Sequence, residues 1–291
     1  MPTWDMVVIG GGASGLTAAA TAAGTGLSTL LIDRMGGGGE LINLGPLHDL
    51  DEPRTGPDLA ARLLEEAITA GAELGVAEVT GLAPEQAGWR IATDGETHHA
   101  RAVILAIGLA PGTLGLANEQ AFEGRGLSHC AACDGPLFPG EPVVVAGADR
   151  WARQEARELA AIASKVTLVT QGGPAPAIDN VTIFPGRIVA LEGENGLDSV
   201  LVQPDGGGGQ QRISTQAVFV QTARIPALDF APATLARDKD GRVVTDATLQ
   251  TSLPGLFATG DARAGSPQTL AAAMADGRRA AASARAARTI A

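Results

Sequence analysis

"DMVVIGGGASGLTAAATAAGTGLSTLLID", Asp5 to Asp33, decides the fold. A short apolar run, a glycine cluster, a helix-forming stretch and a second apolar run read as strand, turn, helix, strand. Gly10, Gly12 and Gly15 fall at G-x-G-x-x-G spacing. In that pattern the first glycine makes the tight turn. The second lets backbone approach a pyrophosphate, and the third lets helix and strand pack closely. The anion would rest on the free N–H groups of the helix N terminus. Asp33 ends the second strand, where an acid can bond a ribose hydroxyl. It suits an unphosphorylated ribose and disfavours a 2′-phosphate. A tight βα turn without a ligand is the alternative, and the acid at strand end argues against it.

The whole chain sets the outer limits. It has 291 residues, which implies two domains or one large one. With 45% hydrophobic and 18% charged residues it can bury a sizeable core, and nothing reads as disordered. A net charge of −11 argues against nucleic acid, whose phosphates need a basic face. No window approaches the roughly 18 apolar residues of a membrane helix. The sequence runs almost at once into its first strand, with no secretory pattern, so a cytoplasmic protein is expected.

Both cysteines lie in "LSHCAACDGPLF", Leu127 to Phe138. A zinc clip needs about four ligands. Cys130 and Cys133 supply two and His129 a third, while His48, His98 and His99 lie in other segments. No metal site is expected. A disulfide closing so small a loop would stabilise little. Redox chemistry is the reading these counts favour, since two thiols at this spacing close to a disulfide with little motion. At the start of a helix a thiolate is stabilised further.

Downstream, "GLFATGDARAGSPQTLAAAMADGRRAAASARAAR" reads as a strand, a turn at Gly260 and Asp261, and a long helix starting near Pro267. "TSLPGLFATGD" resembles the second flavin motif of the FAD-containing disulfide reductases. "RMGGGGELINL" resembles the flavin-covering loop of the low-molecular-weight thioredoxin reductases, with Glu40 where that family usually carries Gln. "GRGLSHCAACDGPLFPGEPVVVAG", Gly124 to Gly147, is similar to their active-site segment, and the likeness extends over nearly the full chain. The resemblance implies an α/β protein of two Rossmann-like (βαβ, three-layer) domains, the FAD domain split by an inserted nucleotide-binding-like domain. It implies FAD held by Gly10, Gly12, Ala13, Ser14, Gly15, Asp33, Arg34, Gly39, Glu40, Leu41, Gly108, Gly260, Asp261, Gln268 and Thr269. By the same resemblance Cys133 faces the flavin, Cys130 exchanges with a partner disulfide, and Asp134 is the general acid and base.

One family motif is broken. "EPVVVAGADRWARQEARELAAIASKVTLVT" keeps the strand, turn, helix, strand of the inserted domain. The family reads G-x-G-x-x-A there, and this chain has Gly147, Ala148, Asp149, Arg150, Trp151, Ala152. Asp149 brings a negative charge to an anion site, at a cost of order a kcal/mol, and Trp151 brings bulk. After the second strand, NADPH-using members carry His-Arg-Arg. Here "VTQGGPAPA" has no cation to clamp a 2′-phosphate. NADPH is therefore doubtful, although Arg150 or Arg153 could restore binding.

The expected boundaries are residues 1–113 for the first FAD segment, 114–227 for the central domain with the CxxC, and 228–291 for the second FAD segment. Pro-marked hinges are expected near Ala110–Thr113 and Ile225–Leu228. The expected function is FAD-dependent thiol/disulfide exchange with a thioredoxin-like protein or a small-molecule disulfide or dithiol. Electrons could come from ferredoxin. Alternatives are an NADPH-dependent thioredoxin reductase, a dithiol oxidase passing electrons to oxygen, and a non-catalytic flavin-binding module. A homodimer is expected, with neither nucleic acid nor membrane as partner.

Overall fold

The structure is a computed structural model that describes residues 3–44, 46–47, 54–174, 176–222 and 224–288. His48 lies outside the described residues. Among those described, the α-helices are α1 (Ala13–Ala23), α2 (Gly56–Thr69), α3 (Ala131–Asp134), α4 (Arg150–Leu159) and α5 (Leu270–Arg288). The chain divides into two compact units. One comprises Met1–Ala110 and Ile225–Ala291, the other Pro111–Arg224.

The first unit is built on a seven-stranded sheet. Thr3–Ile9 lies parallel to Thr29–Asp33 on one side and to Thr97–Leu105 on the other. Leu256–Ala258, from the far end of the sequence, adds parallel to Thr97–Leu105 and so closes the split unit. The hairpin of Gly88–Thr93 and Thr97–Leu105 turns at Asp94 and Gly95, as its Asp-Gly signal predicts. Alternation assigns the faces. Met6 and Val8 pack with α1, α2 and α5 residues, whereas Val7 and Ile9 pack with Trp89, Leu228 and Leu256. Strands buried on both faces read as continuous apolar runs, which is why "DMVVI" shows no polar alternation.

The second unit carries a five-stranded parallel sheet in which Pro142–Ala146 sits between Lys165–Val169 and Ala217–Val220. The same period applies. Val143 and Val145 face Ala152, Ala156 and Leu159 of α4, while Val144 and Ala146 face a three-stranded antiparallel sheet through Ile188, Val200 and Val202. Each unit is thus a layered α/β Rossmann-like domain.

α5 begins at Leu270, later than the expected Pro267. The hydroxyl of Thr269 accepts from the Ala272 N–H at 3.3 Å and caps the helix. Among the described residues no helix is long and apolar enough to cross a membrane.

Candidate active site

The two glycine turns differ in what occupies their helix N termini. At the first, Gly12 precedes α1 without any side-chain cap hydrogen bond. The opening N–H groups of a helix have no intrahelical partner, so this end stays available to an anion. A Cβ built on Gly12 meets nothing within 4 Å, so the turn has open space beside it. A Cβ on Gly15 would lie 1.9 Å from the Gly10 carbonyl oxygen, which enforces glycine there.

Asp33 is engaged within the chain. Its carboxylate accepts the N–H groups of Gly11 (2.7 Å), Met35 (2.8 Å) and Gly37 (3.0 Å). It thereby ties the glycine turn to the loop that follows. Gly36, Gly37, Gly38 and Gly39 all take positive φ (86°, 108°, 102°, 52°), a run that only glycine makes without strain. Gly38 N–H donates to the Gly11 carbonyl at 2.7 Å, so this loop is laid on the first turn. A Cβ on Gly39 would stand 2.9 Å from Gly12 Cα. Glu40 is exposed beyond it and Leu41 is buried in the core. Arg34 is exposed, and Gly108, at φ 59°, opens onto free space after its strand.

The C-terminal segment meets the same place. A Cβ on Gly260 would lie 2.9 Å from Ser14 Oγ, and Thr259 Oγ1 donates to that oxygen at 3.3 Å. Asp261 Oδ1 accepts from Ser266 Oγ at 3.3 Å. The amide oxygen of Gln268, turned to Arg242, accepts from Nη1 at 2.7 Å. Buried Asp276 pairs with Arg263, Nη2 to Oδ1 at 3.1 Å, and accepts Gly260 N–H at 3.2 Å. Sequence reasoning missed this Arg263–Asp276 clamp, because an acid on α5 has no motif signal until the fold brings it under the turn. Gly12, Ser14, Gly39 and Gly260 thus converge. An uncapped helix end beside glycine-only backbone fits the pyrophosphate and ribityl chain of FAD.

In the other unit Cys130 and Cys133 are joined by a disulfide. Cys130 is the N-cap of α3, and its sulfur accepts the Cys133 N–H at 3.2 Å. The expected helix stabilisation is local, because α3 is a single turn followed by the 3-10 turn Gly135–Leu137. Such a turn has little macrodipole, so individual N–H groups do the work. Cys133 is the more exposed sulfur-bearing residue and Cys130 is half-buried. Asp134 Oδ2 accepts from Ser128 Oγ at 2.7 Å, and Ser128 Oγ accepts the Cys130 N–H at 3.1 Å. Ser128 therefore holds the acid and the dithiol in one hydrogen-bonded group, a role that a lone Ser in the sequence does not announce. His129 turns its Nε2 to Glu123 Oε1 at 3.0 Å. Among the described residues no group of three or more His, Cys, Asp or Glu could hold a metal.

The second glycine turn is capped from within. Asp149, the N-cap of α4, accepts the Ala152 N–H at 2.9 Å. A carboxylate of the chain itself stands where α1 leaves room for an anion. Arg153 Nη1 donates to the Ala148 carbonyl at 2.9 Å and is bound into the same turn, and the side chain of Arg150 lies outside the described residues. The guanidinium of Arg224 lies over the Trp151 ring at 5.8 Å. After the second strand the loop does receive a cation that the sequence "VTQGGPAPA" lacks. A Cβ on Gly172 would meet Arg187 Nη2 at 2.2 Å, so Arg187 packs directly on this loop from its own strand, Gly186–Glu192.

Comparison with known proteins completes the picture. The profile of the pyridine nucleotide-disulphide oxidoreductase family matches residues 4–175 and 178–277. Thioredoxin reductase of Treponema pallidum is 32% identical, covering 94% of each chain. The crystal structure of Lactococcus lactis thioredoxin reductase superposes with a TM-score of 0.90 at 25% identity, covering 99% of this chain and 100% of that one. A ferredoxin-flavin thioredoxin reductase from Clostridium acetobutylicum matches with a TM-score of 0.55 at 26% identity, covering 99% and 98%. With its uncapped glycine turn, its CxxC disulfide and its two layered units, the chain belongs to the pyridine nucleotide-disulphide oxidoreductase family, as a thioredoxin reductase-like FAD-dependent enzyme.

Proposed function

We propose that the enzyme exchanges electrons between its Cys130–Cys133 pair and the disulfide or dithiol of a thioredoxin-like protein, and that NADPH is not its physiological reductant. Bound at the first glycine turn, FAD supplies the two-electron store that the dithiol draws on. The Cys130–Cys133 disulfide, with Asp134 held beside it by Ser128, is the observation that carries the reading. In the reducing direction the Cys130 thiolate attacks a partner disulfide and forms a mixed disulfide. Cys133 then attacks Cys130, closing the internal disulfide and releasing the partner's second thiolate. Asp134 gives that thiolate its proton and is reprotonated from solvent. A homodimer in the cytoplasm completes the proposal.

Asp149 supports the NADPH-independent part. A capping carboxylate consumes an N–H group that a pyrophosphate would use and repels its charge. The name of the Clostridium acetobutylicum relative makes ferredoxin a candidate donor. A second reading, reduction by a pyridine nucleotide, is favoured by Arg187 on the Gly172 loop, where a guanidinium could reach a phosphate. The test is anaerobic: the yellow protein is mixed in turn with NADPH, NADH, a dithiol and reduced ferredoxin while the flavin absorbance is followed. Bleaching by ferredoxin or dithiol but not by NADPH is expected. Prompt bleaching by NADPH overturns the assignment, and reoxidation by air after dithiol bleaching points to a dithiol oxidase.

A further inference from the structure

A carboxyl that neither sulfur chemistry nor flavin binding uses, half-buried with one oxygen fully so, lies on α4, the helix that packs against α3. The carboxyl of Glu155, on α4, lies near the backbone N–H of Ala131, the residue after Cys130. The side chain of Gln221, which is 1% exposed, lies beside it. Gln221 in turn donates from Nε2 to the His129 carbonyl at 2.8 Å and accepts from Arg224 Nη2 at 2.7 Å. The segment His129–Cys130–Ala131 is thus backed by a polar group in which Gln221 is bonded to it and Glu155 lies alongside. Its weak point is Glu155 Oε2, which is buried without a hydrogen-bond partner. A buried oxygen without a donor is costly as an anion and tolerable as an acid.

We propose that Glu155 is a positioning residue whose protonation state sets how readily the Cys130–Cys133 disulfide is reduced. Reduction breaks the S–S bond and, near neutral pH, leaves a fraction of the pair as thiolate. A neutral Glu155 tolerates that negative charge, whereas an ionised one repels it through the short Cys130–Ala131 link. Burial, opposed by the Ala131 N–H and by Arg224 and assisted by Glu158, pushes the Glu155 carboxyl up to about 7. The sign follows: below that pH the acid form leaves reduction unhindered, and above it the carboxylate disfavours the thiolate. His129 and Asp134 lie in the same segment and are common to the wild type and a Glu155 variant, so comparing the two cancels them.

The test, which rests on the redox role proposed for the pair, uses the full-length FAD-bound protein in mixtures of reduced and oxidised dithiothreitol at pH 6 and pH 8. The reagent supplies two electrons and two protons and closes to its own cyclic disulfide. Free thiols are trapped with a maleimide and counted by mass. At pH 8, Glu155→Gln should reduce about tenfold more readily than wild type, about 30 mV for a two-electron couple. At pH 6 the two should coincide, and Glu155→Asp should restore the pH dependence. Arg224→Gln, which removes a cation facing Glu155, should move the wild-type break to higher pH. It also serves if Glu155→Gln does not fold. A difference that is equal at both pH values, or none at either, overturns the proposal. A wild-type pair that dithiothreitol cannot open at any ratio instead overturns the redox role itself.

Discussion

Single residues set the difference between two similar glycine turns. Asp149 is the sharpest case, because one carboxylate both caps the helix and places a negative charge at its N terminus. Asp149→Ala should destabilise the protein by about 1 kcal/mol through loss of the cap, whereas Asp149→Gly should cost only a few tenths. Thermal unfolding separates the two. The glycine variant should also gain flavin bleaching by NADPH if the carboxylate is the block, and stay inert if the turn is unfit for other reasons. At the disulfide, Asp134→Asn should lower turnover by roughly 10²- to 10⁴-fold while FAD is retained. Ser128→Ala should lose less, and the double variant should fall no further than Asp134→Asn, since Ser128 acts through Asp134. The charge of Asp149 was legible once the segment was set beside the G-x-G-x-x-A pattern of the family it resembles. Its capping bond was not, because it depends on the local φ/ψ that aims the side chain at Ala152. Arg187 was illegible as a neighbour of Gly172, because only strand pairing brings it there.

Elements show the same division between pattern and contact. The strands, the amphipathic helix α2 with its Thr55–Asp58 capping box, and the hairpin at Asp94 and Gly95 all follow from short-range periodicity and turn chemistry. The glycine loop after Asp33 reads from sequence as either a flavin cover or a loose loop. Its four positive φ values and its bond to Gly11 make it an ordered element. What periodicity cannot give is helix-on-helix contact. Gly277 lies inside α5, where Gly costs about 1 kcal/mol relative to Ala. On an open helix Gly277→Ala would therefore stabilise. Here a Cβ would stand 2.2 Å from the Ser14 carbonyl of α1 and 3.0 Å from the Ala18 nitrogen. The contact must reverse the sign, since backbone atoms cannot yield as a flexible side chain would. Overpacking of this kind costs about 1–3 kcal/mol. Gly277→Ala should lower the melting temperature and, because Ser14 opens the first glycine turn, weaken FAD retention on gel filtration.

At the scale of the molecule, one unit is interrupted in sequence and the other is continuous. Each has its own buried clusters: Met6, Leu16, Phe257 and Ala280 lie in the first unit, and Val144, Val200, Leu168 and Phe219 in the second. The interruption is tight. Ala110 N–H donates to the Ile225 carbonyl at 2.9 Å within the first unit, and Thr222 Oγ1 donates to the Thr113 carbonyl at 2.8 Å within the second. The ends of each piece therefore already meet, as they must where a domain is inserted into another without disturbing its sheet. Two designed proteins follow. Residues 111–224 alone should fold into a colourless domain whose Cys130–Cys133 pair still exchanges with a dithiol, because the disulfide, Asp134, Ser128 and Glu155 all lie inside it. Residues 1–110 joined by a short glycine linker to 225–291 should bind FAD and stay yellow, because Gly12, Gly39, Ser14 and Gly260 all lie inside that unit. Neither piece alone should pass electrons from flavin to an external disulfide. Circular dichroism, flavin absorbance and maleimide trapping read the three claims separately. Loss of flavin from the joined piece would mean that the inserted unit helps to hold it. Loss of folding in residues 111–224 would mean that its two packed faces, though complete, are too small to stand without their neighbour.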